Sequence, residues 1–283
     1  MKKRITALGY RILLMVIVAA AWSTNVESQV IQPFAKKQLT QKDRILFKKL
    51  SSCSNEAVWG MVLQNGYTNI FTNKLKMVLH PELRMVGRAR TVRVVPYRKD
   101  LLKTSPISGK LGGDNVIFYT FQAAEDTEAG DILVIDAGGI VDAGNLGDQM
   151  YYRFLAQGCG GLVINGAIRD MQEISEANSP GYMLDAHAMH AAPIMTVDYQ
   201  VPVNIGGAVV APGDILLGDM EGIVVVPGEI AESIADKAYE HSLEEEFYRE
   251  LLKQGRSLIG LHPPDEEVQK LWEAYKKEHP PEF

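Results

Sequence analysis

Asp148, Arg169 and Asp170 are the residues whose types and spacing suggest chemistry. Asp148 opens a short helical pattern directly after Gly144-Asn145-Leu146-Gly147. Twenty residues later come Arg169 and Asp170, behind the apolar run GLVIN and the short stretch GAI. A helix start carries free backbone N–H groups and attracts an anion. An arginine beside it can hold a carboxylate bidentately. Two carboxylates without histidine or thiol prefer a hard cation such as Mg²⁺, held partly through water. Together these parts would clamp a 2-keto acid, polarise its keto oxygen and stabilise an enolate. A carbon–carbon bond beta to the keto group could then break without a Schiff-base lysine. The same residues are also satisfied by a plainer reading, in which Asp148 caps its helix and Arg169 with Asp170 is a surface ion pair. Spacing alone leaves both open.

The elements around them must bring the two ends together. Residues 147–157 read as a helix whose inner face is Met150, Phe154 and the Leu155/Ala156 pair. ILVID before it and GLVIN after it are apolar runs of strand length. In a strand–helix–strand unit, the loop before the helix and the loop after the second strand fall at one sheet end. Asp148 can therefore face Arg169 and Asp170 across a cleft. Upstream, Thr40 can cap one helix, Ser52 or Ser54 can cap a second, and Gly66 ends it. Residues 83–96 alternate as a strand, and DNVIFYTFQAA is an apolar stretch of no assigned type. Residues 192–227 hold several short strands between GG, PGD and MEG turns. AGDILVID and PGDILLGD look like two like strands of one sheet. The tail from Glu229 to Lys277 is largely helical, its charge runs marking solvated faces. The fold class is thus α/β, with parallel and hairpin strands mixed, and not a doubly wound Rossmann sheet.

Composition bounds the partners. The chain has 283 residues, 46% hydrophobic, which is ample for a core. Its formal net charge is -6, with no basic stripe, so nucleic acid is excluded as an expected partner. Two cysteines, Cys53 and Cys159, make no disulfide scaffold, though a bridge between them is left open. Residues 1–28 begin with Lys2, Lys3 and Arg4 and carry an apolar run from Ile12 to Trp22, the layout of a signal peptide. The expectation is an exported protein, periplasmic or secreted, with no stable membrane insertion after cleavage.

Several segments carry a resemblance: SNEAVWGM, MVGRARTV at 85–92, EAGDILVID, GLVINGAIRD, IGGAVVAPGDILLGD and MEGIVVVP, in that order. With them the chain resembles the RraA-like family, named after the regulator of ribonuclease E activity A. That family also contains the class II 4-hydroxy-4-methyl-2-oxoglutarate/4-carboxy-4-hydroxy-2-oxoadipate aldolases. Their signature, an aspartate, twenty residues and then Arg-Asp, is matched by Asp148 and Arg169-Asp170. The resemblance covers roughly residues 48–245 and implies a layered α/β/β/α body with mixed sheets. Around this single core domain stand an extension at 29–47 and a helical C-terminal tail at 246–283. It implies a homotrimer or a dimer of trimers with the site at a subunit interface. It implies that Arg169 binds the pyruvyl carboxylate and enolate oxygen, and that Asp170 ligates Mg²⁺ or Mn²⁺ partly through water. Asp148 would order metal-bound water and take part in proton transfer. Backbone N–H groups near the helix start would contact the carboxylate, with Asn145, Leu146, Gly147, Met150 and Tyr151 as the surrounding substrate surface.

Some features depart from the family pattern. A neighbouring subunit's glutamate assists the metal-bound water in the aldolases, and Glu221 in GDMEG is a candidate that does not align securely. Residues 171–195 read as an insertion after Asp170 that would reshape the half of the site away from the pyruvyl group. Within it His187 and His190 are three apart, compatible with one helix face and with a metal pair, or with a polar pocket rim. The expected function is a divalent-metal-dependent lyase acting on a 2-keto acid, by retro-aldol cleavage or oxaloacetate decarboxylation. The alternatives are an exported enzyme acting on a sugar-derived acid and a non-catalytic trimeric binding protein of the regulator type.

Overall fold

Ile132, Leu133, Val134 and Ile135 are consecutive and all buried. A strand with no solvated face needs cover on both sides. In the computed structural model, which describes residues 37–104 and 116–280, the sheet receives it. Ile132 and Val134 join one core cluster with Leu50, Val58 and Val62 from helices Gln41–Ser51 and Asn55–Gln64, and with Ile234 of helix Ala231–Lys253. Leu133 and Ile135 point the other way, into a cluster with Ala123 of helix Phe118–Asp126 and Tyr151 and Phe154 of helix Asp148–Gln157. The period-2 alternation thus divides one strand between two cores.

The strands are β1 (Phe71–Thr72), β2 (Lys76–Leu79), β3 (Met85–Pro96), β4 (Asp131–Gly144), β5 (Gly161–Ile168), β6 (Gly181–Ala186), β7 (Ile194–Tyr199), β8 (Val203–Ile205), β9 (Ala208–Val210), β10 (Ile215–Asp219) and β11 (Gly222–Val226). Among the described residues, nine of them form one sheet in the order β1-β11-β10-β3-β4-β5-β6-β2, with β7 also paired to β3, while β8 and β9 form a small hairpin sheet. Pairs β3–β4, β4–β5 and β5–β6 are parallel and the remaining pairs antiparallel. The mixed α/β class expected from the sequence is the one observed. The two similar segments AGDILVID and PGDILLGD become β4 and β10, which flank β3 on either side. Both use the same turn chemistry. Oδ2 of Asp131 accepts the Glu128 N–H at 2.8 Å, and Oδ2 of Asp214 accepts the Ala211 N–H at 2.8 Å.

Capping follows the sequence. Thr40 accepts from the Asp43 N–H, and Ser54, rather than Ser52, accepts from the Ala57 N–H at 3.1 Å. Two expectations change. The apolar stretch DNVIFYTFQAA gives the helix Phe118–Asp126, whose Ala123 and Ala124 are buried against the sheet. Residues 171–195, read as an insertion relative to the family, are an integral part of the fold. They supply a short helix Met171–Ser175 and then β6, which pairs in parallel with β5 inside the main sheet. Ser179, Pro180 and Gly181 are buried, so the stretch belongs to the core. The tail is helical as expected (Ala231–Lys253 and Glu266–Glu278), and also gathers a small core of Phe247, Tyr248, Leu261 and Val268. The signal-peptide reading of residues 1–28 lies outside the described residues. Among the described residues no helix is long and apolar enough to cross a membrane.

Cys53 and Cys159 are both free thiols. Burial raises both, and the Cys159 thiol is pushed up to about 11. Thiol titration at pH 8 should therefore find neither reactive in the native protein and both reactive in denaturant. A native protein that reacts at once at Cys159 would contradict this.

Candidate functional site

The parallel strands β4 and β5 are neighbours, so their C-terminal ends open at the same sheet end. The loop after β4 and the loop after β5 are then stitched to each other by backbone. The Asn145 N–H donates to the Ala167 carbonyl at 2.9 Å, and the Arg169 N–H to the Leu146 carbonyl at 3.0 Å. The Asn145 side chain adds a bond from Nδ2 to the same Ala167 carbonyl at 3.0 Å. The two ends of the sequence motif meet because two adjacent strands end together.

What they hold is the start of the helix Asp148–Gln157. Its cap is Gly147, which has no side chain to offer. Asp170 takes over: its Oδ2 accepts the Asp148 N–H at 3.2 Å and pairs with Nη1 of Arg169 at 3.1 Å. A carboxylate here faces the positive end of the helix dipole. The reading in which Asp148 caps its own helix is thereby set aside. Asp148 occupies the first helical turn, and its carboxylate has no hydrogen bond or ion pair among the described residues. Asp170 has φ 58° and ψ 41°, the left-handed region, which aspartate tolerates better than most residues and which is often found at functional sites.

Glycine is required by close approach at two positions. A Cβ at Gly144 would lie 2.6 Å from Cβ of Arg169. One at Gly147 would lie 2.5 Å from Oδ2 of Asp170 and 2.6 Å from Nη2 of Arg169. The cation–carboxylate pair is packed directly on the loop backbone.

A cleft of about 170 Å³ opens beside this arrangement, lined in part by Asn145, Leu146, Gly147, Met150, Arg169 and His190. Asn145 is 4% exposed, and its Oδ1 is a buried acceptor without a partner. Roomier hollows lie elsewhere, such as one of about 600 Å³ between Ile45, Tyr239 and Lys276. Two acids line it, Asp236 and Glu240, and Asp236 is already paired with Lys49. The smaller cleft is the one with Arg169 and the start of the helix Asp148–Gln157 in its wall.

Other expected site residues fall elsewhere. Tyr151 is 1% exposed and packs in the core beside Phe154, and burial pushes its hydroxyl up to about 12. It is no substrate contact. Phe154 faces inward as expected, but its buried companions are Tyr151 and Gln157, and Met150 lies on the cleft. His187 and His190 do not share a helix face, because β6 ends at Ala186 and the chain then runs as an irregular loop. Each ring nitrogen Nδ1 accepts a backbone N–H two residues on, from Met189 and Ala192 respectively. His190 reaches the cleft rim and His187 does not line it. Glu221 is exposed in the β10–β11 turn. Gly218 of β10 pairs with Met85, the first residue of β3, so that turn lies at the sheet end opposite the cleft of the same chain. Ile117, Phe121, Gln149 and Ala191 also line the cleft and were not foreseen. Reading residues 117–126 as a helix would have found the first two, four apart on one face.

Neither Asp148 nor Asp170 is among the residues that line the cleft; each adjoins a lining residue, Gly147 and Arg169 respectively. Away from the cleft, Glu56, His241 and Glu245 bring ligand atoms within 4.8 Å of one another on the helices Asn55–Gln64 and Ala231–Lys253.

Similarity to known proteins runs the same way. A family model described as RraA-like, Aldolase/RraA, matches residues 49–225. A provisionally named 4-hydroxy-4-methyl-2-oxoglutarate aldolase of Halalkalibacterium halodurans is 29% identical over 182 residues, covering 64% of this chain and 77% of its own. The 4-hydroxy-4-methyl-2-oxoglutarate aldolase of Thermus thermophilus is 28% identical over 144 residues, 51% of this chain and 76% of its own. Among solved structures, Streptomyces coelicolor RraAS2, described as an unusual member of the RNase ES inhibitor RraA family, superposes with a TM-score of 0.63 at 27% identity. That match covers 76% of this chain and 99% of the other.

Proposed function

From the premise that the chain belongs to the RraA-like Aldolase/RraA family, we propose that it is a divalent-metal-dependent lyase. Its substrate would be a 2-keto acid, cleaved through a pyruvate enolate. The observation that carries this reading is the Asp170 carboxylate, shared between the Arg169 guanidinium and the Asp148 N–H at a helix start.

The residues fit a hard cation. Two carboxylates, one without a hydrogen bond or ion pair among the described residues, would make an oxygen-rich and incomplete donor set of the kind that Mg²⁺ or Mn²⁺ completes with water and substrate. Asp170 and Asp148 would hold the ion, directly or through water. A cation bound there would supply Lewis-acid polarisation of the keto oxygen. Arg169 binds the pyruvyl carboxylate and places positive charge beside the oxygen that becomes enolate. Unsatisfied N–H groups in the first turn of the helix Asp148–Gln157 complete the anion site. Asp148 accepts the proton of the C4 hydroxyl. The C3–C4 bond then breaks, its electron pair passes to the enolate, and C4 leaves as a carbonyl. Protonation at C3 gives pyruvate. Oxaloacetate decarboxylation asks the same of Arg169, with carbon dioxide as the leaving fragment.

The assembly we infer is a homotrimer or a pair of trimers. Glu221 could then serve a neighbouring copy's cleft, which it cannot reach in its own chain.

The test is pyruvate release from 4-hydroxy-2-keto acids and oxaloacetate, with and without Mg²⁺ or Mn²⁺. Turnover that needs the ion and is lost on Asp170→Ala is the expected result. No ion-dependent turnover on any of them would sink the reading. The regulator-type binding protein or an enzyme of sugar-derived acids would then take its place.

A further inference from the structure

Selectivity of this cleft depends on what lines it beyond the pyruvyl end. Among the described lining residues Arg169 is the single arginine or lysine, and it is already engaged by Asp170 at 3.1 Å. The nearby ionised groups Asp148 and Asp170 are both acids. The rest of the wall is uncharged. Ile117, Phe121, Met150 and Ala191 are apolar. His190 accepts the Ala192 N–H on Nδ1 at 3.0 Å, which leaves Nε2 as the ring nitrogen outside that bond. Asn145 offers the unpartnered buried oxygen Oδ1.

A substrate with one carboxylate matches this inventory. Among the described residues of this chain, a second carboxylate would enter a mostly apolar space with no further arginine or lysine to meet it beyond the groups that hold the pyruvyl end, and an unpaired charge in such a place is strongly disfavoured. The volume adds to this. About 170 Å³ is below the range of ordinary ligand pockets, roughly 300–1,000 Å³, and suits a substrate of few carbons.

We propose that the cleft selects a short monocarboxylic 4-hydroxy-2-keto acid whose leaving fragment is a neutral aldehyde, and not the dicarboxylic acid after which its relatives are named. This rests on the lyase reading above for the chemical step, but not for binding. In the step, the C4 hydroxyl proton goes to Asp148, the C3–C4 bond breaks, the aldehyde departs, and the enolate takes a proton at C3. No electrons are gained or lost overall.

Two measurements separate the two readings. The first compares kcat/KM for 4-hydroxy-2-oxopentanoate and 4-hydroxy-2-oxoglutarate in the presence of Mg²⁺ or Mn²⁺. The second compares calorimetric binding of 2-oxopentanoate and 2-oxoglutarate, which cannot undergo the cleavage. At least a tenfold preference for the monocarboxylic member is expected in each pair. Equal or better use of 2-oxoglutarate and its hydroxy acid overturns the proposal and leaves the lyase reading standing. Tenfold tighter binding of 2-oxopentanoate without any cleavage overturns the lyase reading and supports the selectivity. Failure to bind either compound overturns both. Phe121→Arg places a cation on the apolar wall and is expected to shift the binding ratio at least tenfold toward 2-oxoglutarate. An unchanged ratio in a folded variant, by melting temperature, removes the wall from the selectivity.

Discussion

Arg169→Ala should lower kcat/KM for pyruvate release about a thousandfold, at the upper end of what loss of one preorganised oxyanion group costs. Two losses combine. The carboxylate clamp disappears, and so does the positive charge beside the developing enolate. The side chain is 39% exposed, so its removal opens no core cavity, and the melting temperature should fall by only a few degrees. Arg169→Lys should recover part of the activity, because it keeps charge and loses the planar fork. Steady-state kinetics with circular dichroism melting checks all three statements. Wild-type turnover in Arg169→Ala would mean that the arginine is only the ion-pair partner of Asp170.

Gly147→Ala adds one methyl group and should reduce activity at least a hundredfold. The new Cβ would fall 2.5 Å from Oδ2 of Asp170 and 2.6 Å from Nη2 of Arg169. Neither approach is tolerable, so the ion pair or the loop must shift by several tenths of an ångström. Displacement of a catalytic group by about 1 Å can cost two orders of magnitude. The loop has little freedom to yield, because Asn145 and Leu146 are bonded on either side to the backbone of residues 167 and 169. Overpacking should also destabilise the fold by about 1–3 kcal/mol. Gly166→Ala is the control for overpacking near, but not on, the ion pair. Its Cβ would meet Asn145 Nδ2 and the Ile140 carbonyl, each at 2.8 Å. Similar destabilisation with a much smaller loss of kcat in Gly166→Ala would separate displacement of the site from general strain.

How much of this could be read from the sequence differs by element. The apolar runs ILVID and GLVIN identify their strands because a strand buried on both faces carries no polar position. Their adjacency, and hence the meeting of Asp148 with Arg169 and Asp170, followed from the sense of a parallel crossover. The roles within the trio did not follow. Nothing in the spacing says that Asp170, and not Asp148, satisfies the helix start, since that depends on Asp170 adopting a left-handed backbone. In the helix Asp148–Gln157, Phe154 faces inward as expected, while the buried place expected for Met150 belongs to Tyr151. Met150 and Tyr151 are both large and apolar, so composition does not decide which faces in. The segment after Asp170 misled for another reason. Its strand, GYMLDA, is flanked by polar loops and ends in Asp185 and Ala186, both exposed. It resembles surface chain until its pairing with β5 is known. Glu221 was placed near the site by family analogy, and the antiparallel pairing of β10 with β3 puts it at the other end of its own sheet.

The loops bearing Asp148 and Arg169 are joined through the backbone of β4 and β5, whereas Ile117 and Phe121 come from a separate helix that reaches the cleft only by packing. On the proposed function, part of the selective wall is therefore carried on a different piece of chain from Arg169 and Asp170. Substitutions at Phe121 would then change which acids enter without touching the loops that hold the pyruvyl end.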